Sequence, residues 1–148
     1  MLPDTVSSVL RRKDRKVLSI SPDASVYDAI ALMADNSIGA LLVVSEGVLV
    51  GILSERDYAR KVVLQSRSSK DTHVADIMTS PVVTVSPSHT VEECMRLMTD
   101  KRIRHLPVVE GSAIVGIVSI GDLVRSMLTV QGEIIQHLQQ YISGPYQH

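Results

Sequence analysis

The chain has 148 residues, enough for one ordinary domain or for two very small ones that share a core, and its 45% apolar content includes four Tyr but no Trp or Phe. Val, Ile, Leu, Met and Ala must therefore fill the interior, which favours a β-branched, mixed α/β core. The 15 Lys and Arg and 16 Asp and Glu leave a net charge of -1, so no overall field draws nucleic acid or a membrane surface, and stacking platforms for bases are scarce.

Residues 1 to 16 are charged and poor in apolar side chains, which predicts no signal peptide, while Val6, Val9 and Leu10 fall at the spacing of a short leading helix. Val17 to Ile20 opens as an extended run. After Ser21-Pro22, the positions Val26, Ala29, Ile30 and Met33 recur at helical spacing behind a capping box, Ser25 to Asp28. Leu41 to Val44 and Val48 to Leu53 are apolar runs parted by Ser45-Glu46-Gly47, which reads as a hairpin, and a further helix begins at Ser54. Gln65 to Thr72, with three Ser and alternating charge, reads as a linker.

The same series then recurs. Val82 to Val85 is extended; Val91, Cys94, Met95 and Met98 are helically spaced behind Thr90 to Glu93; Leu106 to Val109 and Ala113 to Val118 flank Glu110-Gly111-Ser112; and a helix begins at Ser119. Val17 to Leu64 lies over Val82 to Thr129 without a gap at a constant offset of 65, with Ser21-Pro22 on Ser86-Pro87, Val50-Gly51-Ile52 on Val115-Gly116-Ile117, and Asp57 on Asp122. This is a duplication, and it fixes the architecture before any single element is assigned. Beyond it, Ile134, Ile135, Leu138, Tyr141 and Ile142 mark a trailing amphipathic helix. The predicted division is 1–16 lead-in, 17–64 first repeat, 65–77 linker, 78–129 second repeat and 130–148 trailing helix and tail.

Familiar catalytic patterns are missing. Ser-x-Gly within Gly116 to Gly121 lacks the preceding glycine of a nucleophile elbow, no glycine loop ends in Lys-Ser or Lys-Thr, and the five His show no metal-ligand spacing. The single cysteine, Cys94, falls on the apolar helical face, as a small core residue does, and suits a reducing, cytoplasmic setting. The longest apolar stretch, Ile38 to Val44, is far below the roughly 20 residues of a membrane helix.

The β-α-β-β-α duplication, with Val50 to Asp57 (Val-Gly-Ile-Leu-Ser-Glu-Arg-Asp), Val115 to Asp122 (Val-Gly-Ile-Val-Ser-Ile-Gly-Asp) and Arg104 to Val109 (Arg-His-Leu-Pro-Val-Val), resembles a tandem pair of CBS domains over about residues 13 to 128. The resemblance implies an α/β (α+β) fold, two repeats packed about a pseudo-two-fold axis with short terminal helices, and two clefts for an adenosine-containing ligand. AMP is the expected regulatory ligand, with NAD, ATP, ADP or S-adenosylmethionine as alternatives, and no catalytic cofactor or metal. The apolar stripe from Ile134 to Ile142 and the small two-repeat core leave apolar surface to cover and predict a homodimer, and an unidentified regulated protein is the other expected partner. The alternative is an interaction or oligomerisation subunit whose clefts hold no small molecule.

At Gly51-Ile52-Leu53-Ser54 and Gly116-Ile117-Val118-Ser119 a strand runs into a helix N-terminus, whose unpaired N–H groups favour an anion. Ser-x-x-Asp is equally a helix cap, and its place at the carboxyl end of a strand favours ligand contact. By resemblance, Ser54, Arg56 and Asp57 form one cleft with Arg104 and His105, which the family pattern brings across the axis; Thr79, Val83, Ile103 and Pro107 extend the binding set. The other cleft would combine Ser119, Gly121 and Asp122 with Leu18, Ile38, Gly39 and Ala40, and Lys13 is a further member of the expected binding set. On that allocation the Asp57 cleft carries the positive charge and prefers AMP, and the Asp122 cleft takes something bulkier or less charged.

Overall fold

A computed structural model describes residues 4–13 and 16–143; the side chains at 130, 137 and 141–143 are not described, so the Tyr141 and Ile142 end of the predicted stripe lies outside the described residues. The described residues form two compact units, one of residues 16–84 with 111–114, the other of residues 4–13, 85–110 and 115–143. The fold is mixed α/β, with one small sheet for each repeat.

In the first unit β1 (Ser19–Ile20) runs parallel to β2 (Ala40–Ser45), which pairs antiparallel with β3 (Val48–Ser54). The hairpin between β2 and β3 turns on Glu46 and Gly47, both at positive φ (51 and 78), the backbone that a tight hairpin demands and that glycine adopts without strain. The helix α2 (Val26–Asp35) starts where the Ser25 side chain accepts from the Asp28 N–H. Its spacing puts Val26, Ala29 and Met33 on one face, where they pack with Leu41, Val43 and Leu53 into a core that is buried throughout.

The polar stretch Gln65 to Thr72 leads into this same core. The Val26 N–H donates to the Thr72 carbonyl at 2.8 Å, the Val74 N–H to the Ala24 carbonyl at 2.9 Å, and α4 (Val74–Ile77) buries Val74 and Ile77. Thr79 then bonds reciprocally with Ile52 on the edge of β3 (2.8 and 3.1 Å). The close approach explains Gly51: a Cβ there would stand 2.5 Å from the Met78 sulfur and 3.2 Å from the Thr79 carbonyl. Beyond β3, α3 (Glu55–Tyr58) continues as a π-helical turn, Ala59–Val63, that seats Val62 in the core.

The second unit contains α1 (Val6–Arg12), α5 (Val91–Lys101), β4 (His105–Glu110), β5 (Ala113–Ser119) from Val115 on, and α6 (Ile120–Ser143). Helix α1 belongs here although it precedes the first repeat: the Val6 N–H donates to the His89 carbonyl at 2.9 Å, the Ser7 N–H to that of Pro87 at 3.0 Å, and the Val91 N–H to that of Asp4 at 3.0 Å. Cys94 and Met98 lie on the buried face of α5, and Leu106, Val108, Val118 and Leu123 are fully buried.

Two expectations change. The extended run Val82 to Val85 forms only an isolated parallel bridge, Val85 with Val108. Pro107 occupies the position that Leu42 holds in the first repeat, where Leu42 pairs with Ser19, and proline has no N–H with which to carry the ladder on. The predicted trailing helix is also not separate, because no proline interrupts the chain after Ser119 before Pro145, and α6 runs through it as one element of 24 residues.

Candidate functional site

Each repeat ends its hairpin on a serine that caps the next helix, and the aspartate three residues on closes the cap from the other side. In the first unit the Ser54 hydroxyl accepts from the Asp57 N–H (3.2 Å), and Asp57 Oδ2 accepts from the Ser54 N–H and hydroxyl (both 3.0 Å). Asp57 Oδ1 accepts from the Thr79 hydroxyl at 3.3 Å and faces the Lys61 ammonium at 3.1 Å. Lys61 also donates to the Ile77 carbonyl at 2.9 Å. The carboxylate is 13% exposed and the lysine 44%, so this pair is open to water on the cationic side.

The second unit repeats the cap with different partners. Asp122 Oδ2 accepts from the Ser119 N–H at 2.9 Å, and the Ser119 hydroxyl accepts from the Asp122 N–H at 3.1 Å. That same Oδ2 accepts from the Lys13 ammonium at 2.7 Å, and Lys13 donates as well to the Ile117 carbonyl at 2.8 Å. Oδ1 accepts from Arg125 at 2.7 Å. Burial by itself would raise the Asp122 carboxyl, but the Lys13 ammonium and the Ser119 N–H and hydroxyl outweigh it and hold the group below the usual aspartate range.

The segments that precede the strands lie against these turns. The Glu55 N–H donates to the Gly39 carbonyl at 3.0 Å and Ala40 pairs with Ser54; likewise the Ile120 N–H donates to the Arg104 carbonyl at 2.9 Å. His105 is half-buried, and its imidazole is held below the usual histidine range by that burial and by the charges of Lys13 and Arg104, against an opposing pull from Asp122. Within their own units, then, Gly39 and Ala40 adjoin the Asp57 turn, and Arg104, His105 and Lys13 adjoin the Asp122 turn. The hairpin sets these neighbours, because pairing β2 with β3 returns the start of one strand to the end of the next; the allocation drawn from the resemblance, Arg104 and His105 with Asp57 and Gly39 and Ala40 with Asp122, joins each turn to the other repeat and stands as an expectation.

The remaining predicted residues fall in order. Leu18 and Ile38 pack against the first core. Val83 is half-buried in the first unit, Arg56 and Thr79 are exposed beside Asp57, Pro107 is buried in β4, and the Ile103 N–H closes α5 on the Met98 carbonyl at 3.0 Å. Gly121 is not enforced by space, since an added Cβ would stand 3.5 Å or more from its nearest neighbours. Sequence reasoning missed Lys61 and Arg125, although their spacing of four and three residues after the aspartate, the reach of a helical ion pair, was the available signal. Among the described residues no group of His, Cys, Asp and Glu has the makings of a metal site, and no helix is long and apolar enough to cross a membrane. Burial, with Glu93 adding to it, pushes the Cys94 thiol up to about 11, which suits a core residue and not a nucleophile.

Comparison with known proteins converges on one family. The CBS domain family matches residues 6–64 and 74–129. The CBS domain-containing protein CBSX3, mitochondrial, of Arabidopsis thaliana is 44% identical over 96% of this chain and 73% of its own length. Among solved structures, a protein with CBS domains from Burkholderia ambifaria MC40-6, assigned to signal transduction, is 52% identical with a TM-score of 0.81, covering 84% of this chain and 94% of its own. The CBS domain pair of protein MJ0100, solved in complex with 5′-methylthioadenosine and S-adenosyl-L-methionine, is 26% identical with a TM-score of 0.76 over 85% of this chain and 97% of its own. With two matched segments in constant register and both aspartate turns built alike, this chain belongs to the CBS domain family as a tandem pair.

Proposed function

We propose that the chain is a regulatory module that binds an adenosine-containing ligand at the Ser54–Asp57 and Ser119–Asp122 turns and performs no reaction on it. The observation that carries this reading is the duplicated turn itself, in which a serine and a carboxylate stand together where a strand ends and a helix begins, a place at which a carboxylate can accept ribose hydroxyls. The ligands in the MJ0100 complex share adenine and a ribose with AMP, ADP, ATP and NAD, and AMP is the simplest member that also carries a phosphate. A ligand that binds the folded state raises its melting temperature by mass action. AMP should do so, and Asp57→Ala and Asp122→Ala should each weaken its binding in calorimetry. Undiminished affinity in both folded variants would make the aspartates caps and nothing more.

A second reading, an interaction subunit without ligand, draws on the fact that both carboxylates are already satisfied by lysine within the fold. It predicts no thermal shift with AMP, NAD, ATP or S-adenosylmethionine. Under either reading a second copy of the chain is the proposed partner, because Val124, Met127, Leu128, Ile134, Ile135 and Leu138 are exposed along α6. Light scattering should give a dimeric mass; a monomeric mass at tens of micromolar would overturn that part. The single reduced cysteine fits a reducing compartment, and the mitochondrial designation of the Arabidopsis relative leaves the cytoplasm as one such setting.

A further inference from the structure

We infer that Lys13 is an internal counter-ion that makes the Asp122 site select phosphate-bearing over uncharged adenosine compounds, an inference that rests on the reading of the Asp122 turn as a ribose site. A carboxylate offers about four acceptor positions. Three are taken at Asp122, by Lys13, by the Ser119 N–H and by Arg125. A ribose brings two hydroxyls, so one cation must leave. Arg125 leaves easily, being 72% exposed, but it frees only Oδ1. Full bidentate contact with the ribose also needs Oδ2, where Lys13 sits at 2.7 Å and is only 22% exposed.

An ammonium displaced from a buried carboxylate must find another anion or lose free energy. A phosphate supplies that anion; adenosine supplies none. Lys13 is placed for the exchange because its backbone closes α1, its N–H donating to the Val9 and Leu10 carbonyls, while the four-carbon stem is free to re-aim the charge. The first repeat lacks the device: at the offset of 65 the counterpart of Lys13 is Met78, whose side chain covers Gly51 and carries no charge. There the cation is Lys61, which is 44% exposed, so its release into water costs less.

The test is calorimetry with AMP and with adenosine on an Asp57→Ala background, so that the Asp122 turn is read alone, comparing Lys13, Lys13→Met and Lys13→Arg, each checked for cooperative melting. With Lys13, AMP should bind at least about tenfold more tightly than adenosine, in keeping with a charge-assisted contact to phosphate. Lys13→Met should lose about that factor for AMP and hold or gain affinity for adenosine, collapsing the ratio, and Lys13→Arg should preserve it. Equal loss of both ligands in Lys13→Met would make Lys13 an anchor for α1 and overturn the inference, as would an unchanged ratio. Binding of neither compound by the Lys13 form would instead sink the reading of the Asp122 turn as a ribose site, and the inference with it.

Discussion

The two aspartate turns are the same cap in two electrostatic settings. Around Asp57 the added partners are local or nearly so: Lys61 one helical turn on, and Thr79 from the segment that closes the first unit. Around Asp122 one partner is local, Arg125, and the other comes from a helix 109 residues earlier. The difference teaches that duplicated backbone geometry fixes where a carboxylate stands but not what neutralises it. The leading segment of the chain converts the second turn into a tight buried pair, and the first remains a half-solvated one.

The largest effect that would break the comparison is on stability. Asp122→Ala removes the carboxylate half of the cap on the 24-residue α6 and leaves the Lys13 ammonium without its carboxylate, which should cost about 3 kcal/mol or more. Asp57→Ala removes the same half of its cap but releases a lysine already in contact with water, and should cost about 1 to 2 kcal/mol. Urea unfolding of the two variants decides it; equal losses would mean that the Lys13 pair contributes nothing beyond the cap.

A smaller effect sharpens the same contrast through pH. His105 has no counterpart in the first repeat, where Ala40 stands at the offset position. Its folded pKa lies below the ordinary value of 6.5, so as pH falls through 6.5 the unfolded chain takes up the proton first and stability declines until the folded form is protonated as well. Asp122, depressed below 3.8, adds its own loss only at lower pH, as the carboxylate that holds Lys13 is protonated. Melting curves from pH 7.5 to 5 should therefore fall for the parent and flatten in His105→Gln. An unchanged slope in that variant would remove His105 as the source.

Much of this fold was legible because its rules are short-ranged. The capping boxes at Thr90 and Ser54, the helical spacing of Val26, Ala29 and Met33, and the hairpin at Glu46-Gly47 each involve residues within a few positions of one another. The strand predicted at Val82 to Val85 is reduced to the bridge of Val85 with Val108 for a reason that spacing does not reveal, namely that the β4 residue before Val108 is Pro107, which has no N–H to offer. At the site, Ser54, Asp57, Ser119 and Asp122 were readable from the repeat, whereas the neighbours of each turn within its own unit depend on how the hairpin returns.

By itself the sequence determined the duplication, the order of elements, the caps and the positions of the two aspartates, since all of these are set by periodicity and by hydrogen bonds between near neighbours. Only the tertiary structure decided that Thr72, Val74 and Ile77 close the first core, that α1 docks on the second repeat, and that Lys13 meets Asp122. Those contacts join residues far apart in the chain. Packing chooses such partners by burying apolar surface first and then requiring every buried charge to find its counter-ion, and no local pattern carries that information.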